Sequence, residues 1–396
     1  MSLDKIKTIA LFFLVASIPF ARVYNINSYA VAVLSALYLF SPRQRFLPHF
    51  SPSALLFFLY YFILAVNLLV IEQPQSASTL VKYLPLVLIP FSLSFIKYQK
   101  RMLFVFVYTV IAACLISIIT TYIRSKGYIF YYHDPTEIID LQLNYLAIFV
   151  CFTLAILYSE LITANVVKLE YYFFIPFLFF SLAVFYNRTS IIVALVLTVF
   201  FIIAYLKKKG GRKFLIGFIA FFVLTTIWMA NRPIVQSKFK EVIQIDLNDQ
   251  VNYNNGIYSR MLSWECSWQH IKTAGFFGTG INNSSRLLTD CYEKEIGGDA
   301  VQVVEAYNAH NQFLQTTLDL GYLGLLILLL IYARILYIGI RKKDTLLLFF
   351  FTIMLLFGMT ESFMIRQWGS VFFVFFTSYL LHRWRNTDMK SYKSEP

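Results

Sequence analysis

The sequence predicts an all-α polytopic membrane protein of about twelve spans, and three observations carry that reading. Of 396 residues, 59% are hydrophobic and only 14% charged, with 41 Phe and 27 Tyr; water-soluble domains have no interior large enough to hide that much apolar surface. Apolar runs of bilayer length recur along the whole chain. Lys and Arg gather in alternate connecting segments, as they do where positive loops stay on the cytoplasmic side.

The runs fall at roughly 6–20, 28–40, 53–70, 80–96, 102–122, 142–163, 171–186, 189–206, 214–230, 313–338, 345–360 and 369–382. The first two are short. The opening MSLDKIKTIALFFLVASIPFA also has the form of a signal peptide, with a basic start and small residues near its end. Retention of the first span is the reading adopted, because a second span follows at once and the charge pattern works with the first in place. The chain then divides into helices 1–9 over 1–230, a polar loop or cap over 231–312, and helices 10–12 with a tail over 313–396.

Charge sets the orientation. With both termini cytoplasmic, the inside segments collect most of the 34 Lys and Arg, including Lys97, Lys100 and Arg101, the Lys207 to Lys213 cluster, and Arg341 to Lys343. The short outside loops hold only Arg22, Lys82, Arg124, Lys126, Arg188 and Arg366. Topology therefore accounts for the net charge of +13, and no nucleic-acid partner is expected.

The loop 231–312 turns polar, and SRMLSWECSWQHI (259–271) spaces Met261 or Leu262, Trp264 or Glu265, Trp268 and Ile271 as an amphipathic helix does. A Gly-rich turn, AGFFGTGINNSSR, follows. It is no dinucleotide fingerprint, since no strand precedes it. Cys266 and Cys291 both lie in this outside loop, where an oxidising compartment permits them to pair, whereas Cys114 and Cys151 fall inside apolar spans as packing residues. No Cys-x-x-Cys, His-x-x-x-His or acidic cluster offers a metal cage, the Asp246/Asp249 pair being too sparse, so neither metal nor other cofactor is expected.

Five polar residues share the outside face: Arg188 in YNRTS, Arg260 opening the amphipathic helix, His310 in NAHNQFLQTTLD at the mouth of the tenth span, and Glu361 and Arg366 in TESFMIRQWGS. Each has a plainer reading: an anchor snorkelling to headgroups for Arg188, a partner for a loop acid such as Glu265 for Arg260, a mutual salt bridge for Glu361 and Arg366, a capping role for His310. His310 stands out by position. An imidazole beside a helix N-terminus is disfavoured in its charged form and serves as a base, while the same N–H groups attract an anion. Guanidinium groups bind phosphate oxygens in bidentate fashion, so two arginines, a helix start and a base suit a diphosphate leaving group. Asn311, Glu361 and Arg366 are supporting candidates. His270 and His133 read as structural, and His49 and His382 lie on the cytoplasmic side.

The order of these pieces, YNRTS, then SRMLSW and FFGTGINN, then NAHNQFLQTTLDLGYLGLL, resembles the O-antigen ligase and polymerase superfamily over about 180–382. The resemblance implies a GT-C-like helical membrane fold in the bacterial inner membrane, with the active site periplasmic. It further implies transfer of a glycan from undecaprenyl diphosphate to a hydroxyl acceptor, either lipid A-core oligosaccharide or another lipid-linked glycan, without ATP or metal. By that resemblance His310 is the base and Arg188 and Arg260 hold the diphosphate. Attack opposite the leaving group gives inversion; retention needs a second positioned carboxylate, for which Glu305 and Glu361 are the available residues and no paired pattern exists. Ligase is preferred to polymerase because one long outside loop precedes the His-bearing span. A protein O-oligosaccharyltransferase is a lesser alternative. A lipid-linked glycan transporter is another, weakened by the lack of midplane charge and inverted repeats.

Overall fold

The computed structural model describes residues 3–21, 23–39, 51–70, 77–96, 98–127, 136–139, 141–164, 168–209, 256–296 and 308–392, with 216, 217, 227, 231 and 236. Most of the run 214–230, Asp246, Asp249, Glu305, His49 and His133 lie outside the described residues. Every regular element among those described is helical. The chain forms two compact units, one of residues 1–109 with 259–396 and one of residues 110–258.

The first unit contains α1 (Leu3–Ser17), α2 (Ile26–Leu39), α3 (Pro52–Val70), α4 (Ala77–Tyr83) and α5 (Pro85–Leu93), and α6 (Arg101–Arg124) begins in it. After residue 258 it resumes with most of α10 (Gly256–Thr273), then α11 (Ile281–Ile296), α12 (Gln312–Arg341), α13 (Thr345–Gly358) and α14 (Gln367–Tyr392). The single run expected over 80–96 is two helices, because Pro85 at the first position of α5 has no N–H to continue the ladder from α4. Helix α12 packs on α3 and α13, and α14 on α5 and α3. Their contacts are aromatic: Phe373 meets Phe57 edge-on at 5.9 Å, stacks on Tyr332 at 5.7 Å and touches Phe363 at 5.3 Å. Helix association in lipid relies on packing of this kind rather than on the hydrophobic effect.

The second unit holds the rest of α6 with α7 (Leu143–Thr163), α8 (Glu170–Phe185) and α9 (Arg188–Lys209). Helix α7 is buried on nearly all sides. Its Tyr158 stacks on Phe201 of α9 at 4.3 Å and shares a 2.9 Å hydrogen bond with Thr198.

Among the described residues, five helices are long and apolar enough to cross a membrane: α3, α6, α7, α9 and α12. Helices α2, α8 and α13 and the stretch Ser78–Leu93 are apolar but shorter.

Helices α10 and α11 are of a different kind. The helix expected at 259–271 is present, and its buried face agrees with the expected one at Leu262 and Ile271 but not at Trp268. Leu262, Ser263, Cys266, Ser267 and Ile271 are buried, while Met261 and Trp268 are exposed. Small side chains let α10 approach its neighbours closely, and Cys266 and Cys291 join it to α11.

Candidate active site

The site is built at the N-terminus of α12. Asn311 has extended backbone and caps the helix, its side-chain oxygen accepting from the N–H groups of Phe313 at 2.9 Å and Leu314 at 3.2 Å. The two glutamines that follow bind the adjoining segments. Gln315 Oε1 accepts from the Ala309 N–H at 2.8 Å, and Gln312 Oε1 accepts from the Met364 N–H at 2.7 Å. A third bond, from the Asn311 N–H to Ser362 Oγ at 3.1 Å, fixes the turn between α13 and α14 against the start of α12. The sequence HNQFLQ thus sets which residue of that turn faces the imidazole. The residue is Glu361.

His310 itself has φ +44°, a left-handed conformation uncommon for a side chain with a Cβ. Contacts on both sides of it hold that backbone. Its N–H donates to Asn308 Oδ1 at 2.8 Å, and its carbonyl accepts from Trp264 Nε1 at 3.4 Å. Strain of this sort persists where the surroundings over-determine it, as at functional residues.

Glu361 joins Arg260 and His310. Its Oε1 accepts from Arg260 Nη2 at 2.8 Å, and its Oε2 lies 3.7 Å from His310 Nδ1. The latter is an ion-pair distance, longer than a hydrogen bond. Nδ1 is buried, and no hydrogen bond satisfies it. Arg260 is oriented further by a 3.3 Å bond from Nε to the Thr360 carbonyl. Burial pushes the Glu361 carboxyl upward, but His310 and the Arg260 guanidinium outweigh that and hold it below the usual carboxylate range. At neutral pH it is therefore a carboxylate.

The Gly-rich turn seats the cap on α12. Helix α12 kinks at Gly321, whose φ is +69° and ψ −167°. The turn enters at that kink: Thr279 N–H donates to the Leu318 carbonyl at 2.7 Å and Gly280 N–H to the Asp319 carbonyl at 3.1 Å. A Cβ on Gly321 would fall on the Phe276 carbonyl, and one on Gly278 would fall on the Gly321 nitrogen. Both positions also require a positive φ, so only glycine fits. On the other side, Asn67 of α3 donates to the Phe277 carbonyl at 2.8 Å.

Of the predicted residues, the structure brings Arg260, His310, Glu361 and Asn311 together. Arg366 is exposed at the end of the same turn. Arg188 opens α9 in the second unit, after the left-handed Tyr186 and beside Asn187, whose side-chain oxygen accepts from the Ser190 N–H at 2.9 Å. His270 is engaged with the Leu287 carbonyl at 3.0 Å, which ties α10 to α11. Among the described residues no three His, Cys, Asp or Glu side chains gather as metal ligands.

Sequence reasoning passed over Trp264, Gln312, Gln315 and Asp319. Asp319 is buried, and its Oδ1 accepts from Gln315 Nε2 at 2.8 Å. With Tyr60, Tyr83, Gln312 and Gln315 it lines a small polar pocket with room for about one water molecule. An acid two turns into an apolar run was the available signal.

Residues 173–329 match the family model described as O-antigen ligase. This stretch is similar to O-antigen ligases. It contains Arg188, Arg260 and His310, and ends before Glu361. No curated protein matches the chain.

Proposed function

We propose that the protein is an O-antigen ligase, transferring a glycan from undecaprenyl diphosphate to a hydroxyl of lipid A-core oligosaccharide on the periplasmic face of the inner membrane. The observation that carries the reading is an imidazole held at the mouth of a membrane-length helix and paired with a carboxylate beside an arginine, the histidine and arginine lying in the segment that matches the O-antigen ligase family model. In this reading His310 removes the proton of the acceptor hydroxyl as its oxygen attacks the anomeric carbon. The bond from that carbon to the diphosphate oxygen breaks, with inversion, and undecaprenyl diphosphate departs. Arg260 binds the diphosphate and stabilises the charge it gains, a role that the family resemblance also gives to Arg188. The energy comes from the donor's own diphosphate linkage, so the reaction calls on neither ATP nor metal.

The products of deletion test the acceptor. Loss of a ligase leaves uncapped core while long undecaprenyl-linked chains persist. A core bearing a single repeat unit would instead identify a polymerase using the same donor, and a donor that accumulates on the cytoplasmic face with no other change would identify a transporter. Topology is checked separately. Reporter fusions after Lys209 and after Lys343 are expected to report cytoplasm and fusions within 240–300 the periplasm, and reversal would remove His310 from the outer face.

A further inference from the structure

Glu361 lies outside the segment that matches the family model, yet it is the residue that links Arg260 to His310. Two independent tethers place it there. The Asn311 N–H to Ser362 Oγ bond and the Met364 N–H to Gln312 Oε1 bond align the stretch just after Glu361 with the segment just after His310. Arg260 then holds the carboxylate from one side, leaving Oε2 directed at Nδ1. Only 13% of the Glu361 side chain and 21% of the His310 side chain are exposed, so little water competes at the contact.

We propose that Glu361 is the positioning residue of His310: it draws the imidazole proton to Nδ1, leaving Nε2 as the nitrogen that accepts the acceptor's proton, and Arg260 orients Glu361 as well as meeting the donor. The proposal rests on the transferase reading for what the base does, but the geometry of the pair stands apart from it. A neutral imidazole carries one proton, and the tautomer follows the hydrogen bond made by the other nitrogen. With a carboxylate facing Nδ1 the proton resides there, and the lone pair is on Nε2. As the imidazole takes up the second proton during transfer, the fixed negative charge of Glu361 stabilises the imidazolium. Catalytic hydrogen bonds are often long outside the Michaelis complex and tighten within it, so a 3.7 Å contact is compatible with this role.

A purely structural Glu361 would affect folding and leave the titration of His310 unmoved. Among the described residues, Arg260 from α10 is the cation that meets the Glu361 carboxylate beside His310. The removal of one negative charge beside an imidazole makes the protonated form less favourable, so its titration midpoint falls. The experiment follows modification of His310 by diethyl pyrocarbonate across pH in the purified full-length protein, read by mass spectrometry, for the wild type, Glu361→Gln and Glu361→Asp. Only the neutral imidazole reacts, so the profile reports its titration without requiring transfer. The expected result is a midpoint shifted to lower pH in Glu361→Gln and by a smaller amount in Glu361→Asp. In transfer assays Glu361→Gln should lose on the order of 100-fold in kcat, with the acid limb moving the same way and donor KM little changed. An unchanged midpoint in Glu361→Gln overturns the proposal. If that variant does not fold, an unchanged midpoint in Glu361→Asp overturns it equally. Failure of the transferase reading looks different: the wild-type protein would transfer no glycan from the lipid-linked donor, while the His310 midpoint still moved in Glu361→Gln.

Discussion

Helix α10 buries Ser263, Cys266 and Ser267, whereas α14 buries Phe372, Phe373 and Phe376. The membrane-length helices of the first unit are held by aromatic packing. The cap is held by a disulfide, by backbone bonds from a Gly-rich turn into the kink of α12, and by His270 on the Leu287 carbonyl. Aromatic packing tolerates small adjustments because its energy is spread over many contacts. The cap depends on a few specific points, and those same points set the position of the candidate site, since Arg260 and Trp264 both project from α10. A site spanning the cap and the bundle is therefore expected to fail from the cap side first.

The largest effect should come from Gly321→Ala. Its Cβ would meet the Phe276 carbonyl at a backbone angle that disfavours any side chain, and overpacking with strain of this kind costs roughly 3 kcal/mol or more. The melting temperature in detergent should drop and the cap should become protease-sensitive; a variant as stable as the wild type would show that the turn does not seat the cap.

Next is the link between Cys266 and Cys291, which are 25 residues apart with Cα atoms 5.9 Å apart. By the chain-entropy relation a closed loop of that length contributes about 3 kcal/mol. Thiol labelling should miss both cysteines until the protein is reduced, and cap proteolysis should accelerate in Cys266→Ser. Equal labelling before and after reduction would contradict the pairing.

A smaller effect is expected from Asn311→Ala, which removes the cap of α12 but leaves both glutamine tethers: about 1 kcal/mol. A measurable loss of transfer larger than the loss of stability would sharpen the comparison, by assigning Asn311 a part in placing His310.

The helices were legible because their signal is composition and period. Run lengths located α3, α7 and α12 to within a few residues, and Pro85 alone explains the break that the run 80–96 concealed. The face of α10 was harder to read. Met261 and Trp268 look like core in a soluble helix, but the buried face of α10 carries Ser263, Cys266 and Ser267 between Leu262 and Ile271, and hydrophobicity carries no information on how closely two helices approach. His310 was legible by residue type at the edge of a span, and Arg260 at the start of an amphipathic helix. Their joining through Glu361 was not, because Glu361 is fifty-one positions beyond His310 and reaches it through the bonds of Ser362 and Met364, which no local pattern encodes.

The most direct measurement compares wild type and His310→Ala as purified full-length proteins, given undecaprenyl diphosphate-linked glycan and lipid A-core acceptor without ATP. The account predicts a loss of transfer of at least about 100-fold, with donor binding nearly unchanged and the protein still monodisperse. Transfer at close to the wild-type rate would contradict it and place the base elsewhere.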